Sequence, residues 1–254
     1  MLKIGVFGAS GRVGQLIIQE VMAHSKELEI GAIFVRRELD FSLPEGSFVT
    51  NNIKEFLECC SVIIDFSQRE ATHLLLQALK DTPKPCIIGT TGLEKSDFEL
   101  LESASKKAPI LYAANMSLGV AVLDRLVALV AKELKDADIE ISEIHHRFKK
   151  DAPSGTALRL ANTCANARGK ALESVMITDR ASAGERKEGQ ISVTSLRGGD
   201  VAGRHTVGFY VDGEYLELTH NATSRATFAK GAIKCARFIK DKKPGLYDIN
   251  DVLA

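Results

Sequence analysis

The sequence predicts an α/β protein in which a doubly wound parallel sheet is followed by a second α+β domain with a mixed or antiparallel sheet. Three observations predict it. Short apolar runs alternate with amphipathic helical stretches as far as residue 113, a glycine-rich turn joins the first run to the first helix, and beyond Asn115 strands follow one another with few helices between them.

Residues 2–7 form an apolar run and residues 12–24 place Val13, Leu16, Ile17 and Val21 at helical spacing, so the chain opens as strand, turn and helix. Further short apolar strands are predicted at 29–35, 62–66, 86–88 and 110–113, with helices at 53–59, 69–80 and 94–107 between them. Strands joined through helices pair in parallel, and helices then cover both faces of the sheet. Ser117 is placed to cap a helix running to residue 133. Next come strands at 139–144, 191–196, 205–210 and 215–220, interrupted by one helix at 154–168, and finally a helix at 225–240 that Lys243-Pro244-Gly245 ends. This change of pattern puts a second domain after residue 116.

Composition narrows the class of function. A chain of 254 residues with 45% apolar content can bury one large core or two modest ones. Acidic and basic residues balance at 33 each, so no global field would hold the protein on nucleic acid or an anionic membrane, and a small, locally steered ligand fits better. The opening apolar run ends at Gly8, too short for a membrane span and without a small-residue cleavage site, so no signal peptide is expected. Cys59, Cys60, Cys86, Cys164 and Cys235 form no C-x-x-C pair and stand near no histidine at ligand spacing; they read as reduced core thiols, with no metal site and a cytoplasmic location.

The turn Gly8-Ala9-Ser10-Gly11-Arg12-Val13-Gly14 lies between a strand and a helix, the context that a dinucleotide fingerprint requires. Backbone N–H groups at such a helix start hold a pyrophosphate, and glycines let the chain approach it closely. The spacing is G-x-x-G-x-x-G, with Ser10 at the usual middle glycine, and an ordinary strand-to-helix turn is the alternative. The second strand ends in Phe34-Val35-Arg36-Arg37 without a carboxylate at its tip. Arg36 and Arg37 either pair with a ribose 2′-phosphate, favouring NADPH over NADH, or simply open a surface loop. Two more strand ends, Asp65-Phe66-Ser67 and Gly89-Thr90-Thr91-Gly92, would face a cofactor beyond the carboxyl edge of the sheet; Ser67 and Thr90 also fit helix caps.

His145-His146-Arg147-Phe148-Lys149-Lys150 follows a strand and leads into Asp151-Ala152-Pro153-Ser154-Gly155-Thr156, with Ser154 as the cap of the next helix. Cationic side chains before the positive end of a helix suit an anion: the N–H groups of Ser154, Gly155 and Thr156 can donate to a carboxylate while Lys149 supplies charge. A histidine that titrates near neutral pH adds a proton carrier. The alternative is a solvated basic edge in which one of two adjacent histidines is only packed. His24, His73, His205 and His220 have no comparable setting and are read as structural.

Glu143-Ile144-His145-His146-Arg147 through Lys149, with Asp151-Ala152-Pro153-Ser154-Gly155-Thr156-Ala157, resembles the signature of the dihydrodipicolinate reductases. The resemblance extends to the opening glycine turn, Gly89 to Gly92, Ala113-Ala114-Asn115-Met116-Ser117, Ser195 to Asp200 with His205-Thr206, and Gly245-Leu246-Tyr247-Asp248. It implies a Rossmann-like domain of residues 1–116, completed by 222–254, that binds NADPH or NADH, and a domain of residues 117–221 that holds a cyclic dicarboxylate and builds a homotetramer. By the same resemblance, His145 is a proton donor or acceptor, Lys149 a second proton donor, and His146, Gly155 and Thr156 contact the substrate. Gly8, Ala9, Ser10, Gly11, Arg12 and Val13 would cradle the pyrophosphate. Gly89, Thr90, Thr91, Ala113, Ala114, Asn115 and Met116 would lie along the nicotinamide, and Arg36 matches a position implicated in NADP binding. Family members that use NADH well often carry an acidic residue where this chain has Val35. The reaction implied is hydride transfer to dihydrodipicolinate or its hydroxylated precursor, with hinges near Asn115-Ser117 and Asn221-Arg225. An open-chain amino acid dehydrogenase or a nucleotide-sensing regulator would share the glycine turn but would have no need of the run from His145 to Thr156.

Overall fold

The computed structural model describes residues 1–36, 39 and 41–253, which fall into two compact units, Met1–Leu118 with Arg225–Ala254, and Gly119–Ser224. Arg37, paired with Arg36 in the sequence reading, lies outside the described residues.

In the first unit, β1 (Leu2–Phe7), β2 (Leu28–Phe34), β3 (Val49–Thr50), β4 (Val62–Asp65), β5 (Cys86–Ile88), β6 (Pro109–Tyr112) and β12 (Gly245–Tyr247) make a seven-stranded parallel sheet. Its order is β12-β6-β5-β4-β1-β2-β3, and the reversal of winding between β1 and β4 is where such sheets bind ligands. β4 is buried along its whole length, as a strand covered on both faces must be. The connecting helices are α1 (Arg12–Ala23), α2 (Ile53–Glu58), α3 (Arg69–Asp81) and α4 (Lys95–Ser105). Phe7, Phe34 and Phe56 cluster between sheet and helices, with Phe7 and Phe34 stacked at 4.4 Å. The unit is completed by α8 (Ala226–Ile239), whose Gly231 lies so close to the backbone of Met116 that a Cβ there would fall 1.8 Å from the Met116 carbonyl oxygen.

The second unit is a mixed sheet of β7 (Asp138–His145), β8 (Met176–Ile177), β9 (Ile191–Arg197), β10 (Gly203–Val211) and β11 (Glu214–Ala222), in the order β11-β10-β7-β9-β8. Here β7 runs parallel to β9 and antiparallel to β10. The helices α5 (Leu118–Glu133) and α6 (Gly155–Ala167) bury Leu123, Val127, Leu160 and Cys164 against Ile139, Ile141, Val207 and Phe209; α7 (Leu172–Val175) is a single turn. Alternation along the strands sends Ser142, Thr194, Leu196, Arg204, Tyr215, Glu217 and Thr219 to the other, exposed face.

Compared with the sequence expectation, the sheet pattern and major helices are present with ends shifted by up to two residues. The elements that the sequence does not announce are β3, α7, β8, β12 and a 3₁₀ turn at Asp251–Leu253, each of two to four residues. Runs that short have no period to read.

Candidate active site

The glycine turn adopts the geometry that a phosphate needs. Gly8 has φ +93, and a Cβ there would strike the Phe66 carbonyl oxygen at 2.5 Å; one at Gly14 would meet the Gly8 carbonyl oxygen at 2.3 Å. Only glycine permits both approaches. Gly11 is the N-cap of α1 and offers no side-chain acceptor, so the N–H groups of Arg12 and Val13 begin the helix without a side-chain cap. Such a helix start, at the carboxyl edge of β1, is a fit for a dinucleotide pyrophosphate.

A buried carboxylate ties the loop after β4 to the start of α3. Asp65 ends β4 fully buried, accepting from Ser67 N at 2.9 Å and Thr72 Oγ1 at 2.5 Å. Burial pushes its carboxyl up to about 6, against the pull of these donors. Ser67 N also donates to Thr90 Oγ1 at 3.1 Å, so the Thr90 hydroxyl faces inward and the chain can offer a cofactor only its backbone there. Ala9, Ala113 and Met116 are likewise buried, whereas Ser10 and Thr91 are exposed. Asn115 holds the end of its loop by accepting from Ser117 N at 2.8 Å. At the tip of β2, Arg36 shares a cavity of about 540 Å³ with Phe34, Asn51, Lys54 and Leu74.

In the second unit, the period of two along β7 puts Glu143 and His145 on one side of the sheet. Glu143 is 1% exposed and has four donors around it. Arg197, beside His145 in the β7–β9 register, donates from Nη1 to Oε2 and from Nη2 to Oε1, both at 2.9 Å. His145 Nδ1 lies 2.5 Å from Oε2, and Ser154 N donates to Oε1 at 3.2 Å. Burial works against the ionised carboxylate, but the Arg197 and His145 hydrogen bonds outweigh it and hold Glu143 down to about 2. An ionised carboxylate only accepts, so the His145 proton sits on Nδ1 and Nε2 is left for chemistry. Desolvation lowers the pKa of His145 below its ordinary value, with Glu143 pulling the other way, so the ring is mainly neutral at pH 7.

His205, read from the sequence as structural, stands beside this cluster. The β7–β10 register sets it opposite Glu143, its ring meets that of His145 edge-on at 5.1 Å, and its Nε2 lies 3.1 Å from Ser154 Oγ. Burial holds it down to about 4, with His145 adding to the effect. The sequence reading changes at Ser154, whose N–H serves Glu143 while its Oγ caps α6 by accepting from Ala157 N at 3.2 Å. A carboxylate at this helix start would therefore have to be met by Gly155 and Thr156 and not by Ser154; above Gly155 the space is open, since a Cβ there would meet nothing within 4 Å. Lys149 stands at the same end of the sheet, paired with Asp151 at 2.9 Å. His146 is half-buried with its ring tilted over exposed Phe148. Glu143 and Arg197 had no role in the sequence reading, although the i, i+2 spacing of Glu143 and His145 was there to find.

Family models described as "Dihydrodipicolinate reductase, N-terminus" and "Dihydrodipicolinate reductase, C-terminus" match residues 2–116 and 119–253. A 4-hydroxy-tetrahydrodipicolinate reductase of Helicobacter hepaticus is 58% identical over 254 residues, covering 100% of this chain and 99% of that one. One from Wolinella succinogenes is 55% identical over 255 residues with the same coverage. Among solved structures, the dipicolinate-bound dihydrodipicolinate reductase from Paenisporosarcina sp. TG-14 superposes with a TM-score of 0.81 at 21% identity, covering 98% of this chain and 97% of that chain; this is a likeness of fold.

Proposed function

The chain belongs to the dihydrodipicolinate reductase family, and from that membership we propose that it reduces 4-hydroxy-tetrahydrodipicolinate or dihydrodipicolinate to tetrahydrodipicolinate in diaminopimelate and lysine synthesis. It is a nicotinamide-dependent oxidoreductase. The observation that carries the reading is the joining of His145 and the start of α6 through one carboxylate, which sets a proton carrier beside a carboxylate-binding helix end.

The glycine turn and the uncapped start of α1 hold the pyrophosphate, and the loops at Gly89–Thr91 and 113–116 line the nicotinamide side. When bound, the reduced nicotinamide supplies a hydride to the conjugated imine of the substrate. The chain's own part is to place the ring and handle the proton. Gly155, Thr156 and Lys149 bind a ring carboxylate that the reaction does not alter, with His146 against the substrate, so their work is positioning. Negative charge left by hydride addition is quenched by a proton from Lys149 or from His145 Nε2; the histidine route runs through the imidazolium, a ring that has first taken a second proton from solvent on Nε2 and that the Glu143 carboxylate stabilises. A His145→Ala variant lowers kcat far more than it raises KM, and Lys149→Ala damages both. Turnover unchanged in the histidine variant would remove His145 from the proton step.

NADPH is the preferred cofactor on this reading. Arg36 and Lys54 bring two positive charges to one cavity at the tip of β2, against one carboxylate among its described lining residues, Asp81, and position 35 carries a valine in place of an acid. The deciding experiment is oxidation of NADPH and NADH in parallel with enzymatically generated substrate; equal or better kcat/KM with NADH refutes the preference.

The exposed sheet face around Ser142, Thr194, Leu196 and Tyr215 is the surface for self-association into a homotetramer. Light scattering tests this: Thr194→Arg breaks the assembly, and a parent protein that is monomeric at working concentration defeats it. Among the described residues no helix is long and apolar enough to cross a membrane. A cytoplasmic location agrees with the chemistry, which draws on nicotinamide cofactor pools of the cell interior.

A further inference from the structure

We propose that Glu143 is the positioning residue of this site, fixing at once the tautomer of His145 and the place of the α6 start relative to it. The inference rests on the reading of His145 as proton carrier and names what sets it.

Glu143 makes a different contact with each part of the site. Its Oε2 receives the His145 Nδ1–H, which leaves Nε2 as the exchanging atom. Its Oε1 receives the backbone N–H of Ser154, the residue that caps α6. Arg197 closes a two-point fork on the same carboxylate and also donates from Nη2 to the Asp151 carbonyl oxygen at 2.5 Å, so the turn between β7 and α6 is held from the same point. A side chain that only neutralised Arg197 would not need to reach Ser154.

The geometry places Glu143 between the histidine and the helix end, so its loss is felt in both. Charged and titratable groups facing His145 are Glu143 on its own strand, Arg197 from β9, Lys149 from the following loop and His205 from β10. Of these only Glu143 favours the imidazolium, while the cations oppose it. Removing the carboxylate charge therefore moves the His145 titration further toward acid.

The first test needs no variant. In the intact protein at pH 8, nitrogen NMR of the His145 ring should show the Nδ1–H tautomer; the Nε2–H tautomer overturns the proposal. The second test compares Glu143→Gln and Glu143→Asp in protein shown by thermal melting to be folded. In the amide variant, kcat falls on the order of 10²-fold and the pH midpoint of kcat assigned to His145 moves to lower pH, because both the anion and the tautomer preference are lost. Glu143→Asp keeps the charge and the wild-type midpoint but lowers kcat and raises substrate KM, since the shorter side chain cannot span both His145 and Ser154. A merely structural carboxylate would leave the pH midpoint where it was in Glu143→Gln, and that result overturns the proposal. If Glu143→Gln does not fold, the tautomer and the aspartate profile decide. Should the parent enzyme show no cofactor oxidation with the cyclic substrate, the functional reading fails while the tautomer result still stands or falls by itself.

Discussion

Replacing Gly231 by alanine tests how the last helix is seated in the dinucleotide unit. The added methyl would lie 1.8 Å from the Met116 carbonyl oxygen and 2.9 Å from its carbon. A relaxed carbon–oxygen contact needs about 3.3 Å, so helix or loop must give way by roughly 1.5 Å. Backbone is the obstacle, and no rotamer change relieves it. Overpacking costs about 1–3 kcal/mol, and a backbone obstacle at this distance puts the contact in the upper part of that range, about 2–3 kcal/mol, while alanine gains about 1 kcal/mol over glycine inside a helix. The net expectation is a loss of about 1–2 kcal/mol, which in a unit of this size lowers Tm by about 2–8 °C. Met116 also ends the loop assigned to the nicotinamide, so the displacement raises KM for NADPH as well. Urea denaturation and thermal melting by circular dichroism give the first quantity, and steady-state kinetics give the second. A variant as stable as its parent, or stabler by the helix-propensity gain, would refute the seating of α8 on Met116.

Three further outcomes follow from the buried polar groups. His205 is held down to about 4 in the folded chain, so it favours folding above pH 6.5 and that contribution is lost as pH falls toward 4; the effect is on the order of 3 kcal/mol, read as a falling urea midpoint in the second unit's transition. Asp65 has the opposite sign, because its carboxyl is pushed up to about 6: the first unit loses stability as pH rises through 6, and Asp65→Asn should be the more stable protein at pH 8 by on the order of 2 kcal/mol. An unchanged or lower urea midpoint in that variant refutes it. Ser154→Ala removes the α6 cap and the partner of His205 Nε2, costing about 2–3 kcal/mol by thermal melting, and a loss below about 0.5 kcal/mol would show that the cap is not in place.

Much of the fold could be read from local pattern. Residues 2–7 and 12–24 announce strand and helix because each segment buries one face or both, and that constraint is written in consecutive residues. β12 could not be read, since Gly245-Leu246-Tyr247 follows a proline and becomes a strand only by pairing with Pro109–Leu111 far upstream. The site divides in the same way. His145, Lys149 and the helix start at Gly155 lie within one short run, so spacing alone brings them together. Arg197 and His205 reach His145 and Glu143 through the registers of β9 and β10 on β7, and a register between strands fifty residues apart leaves no local trace. Glu143 was legible in principle, two residues before His145 on a strand, but a lone acid beside a histidine is usually exposed and its burial is set by the sheet.

The discontinuity of the first unit bears on how the chain is made. Gly119–Ser224 is a continuous stretch and can fold as soon as it leaves the ribosome. The dinucleotide unit cannot finish then, because the helix that covers Met116 and the strand that pairs with β6 both lie after Arg225. Until they emerge, the nascent chain carries β6 as an unpaired apolar edge, the kind of surface that pairs with other chains, so a chain cut before Arg225 should aggregate through this half.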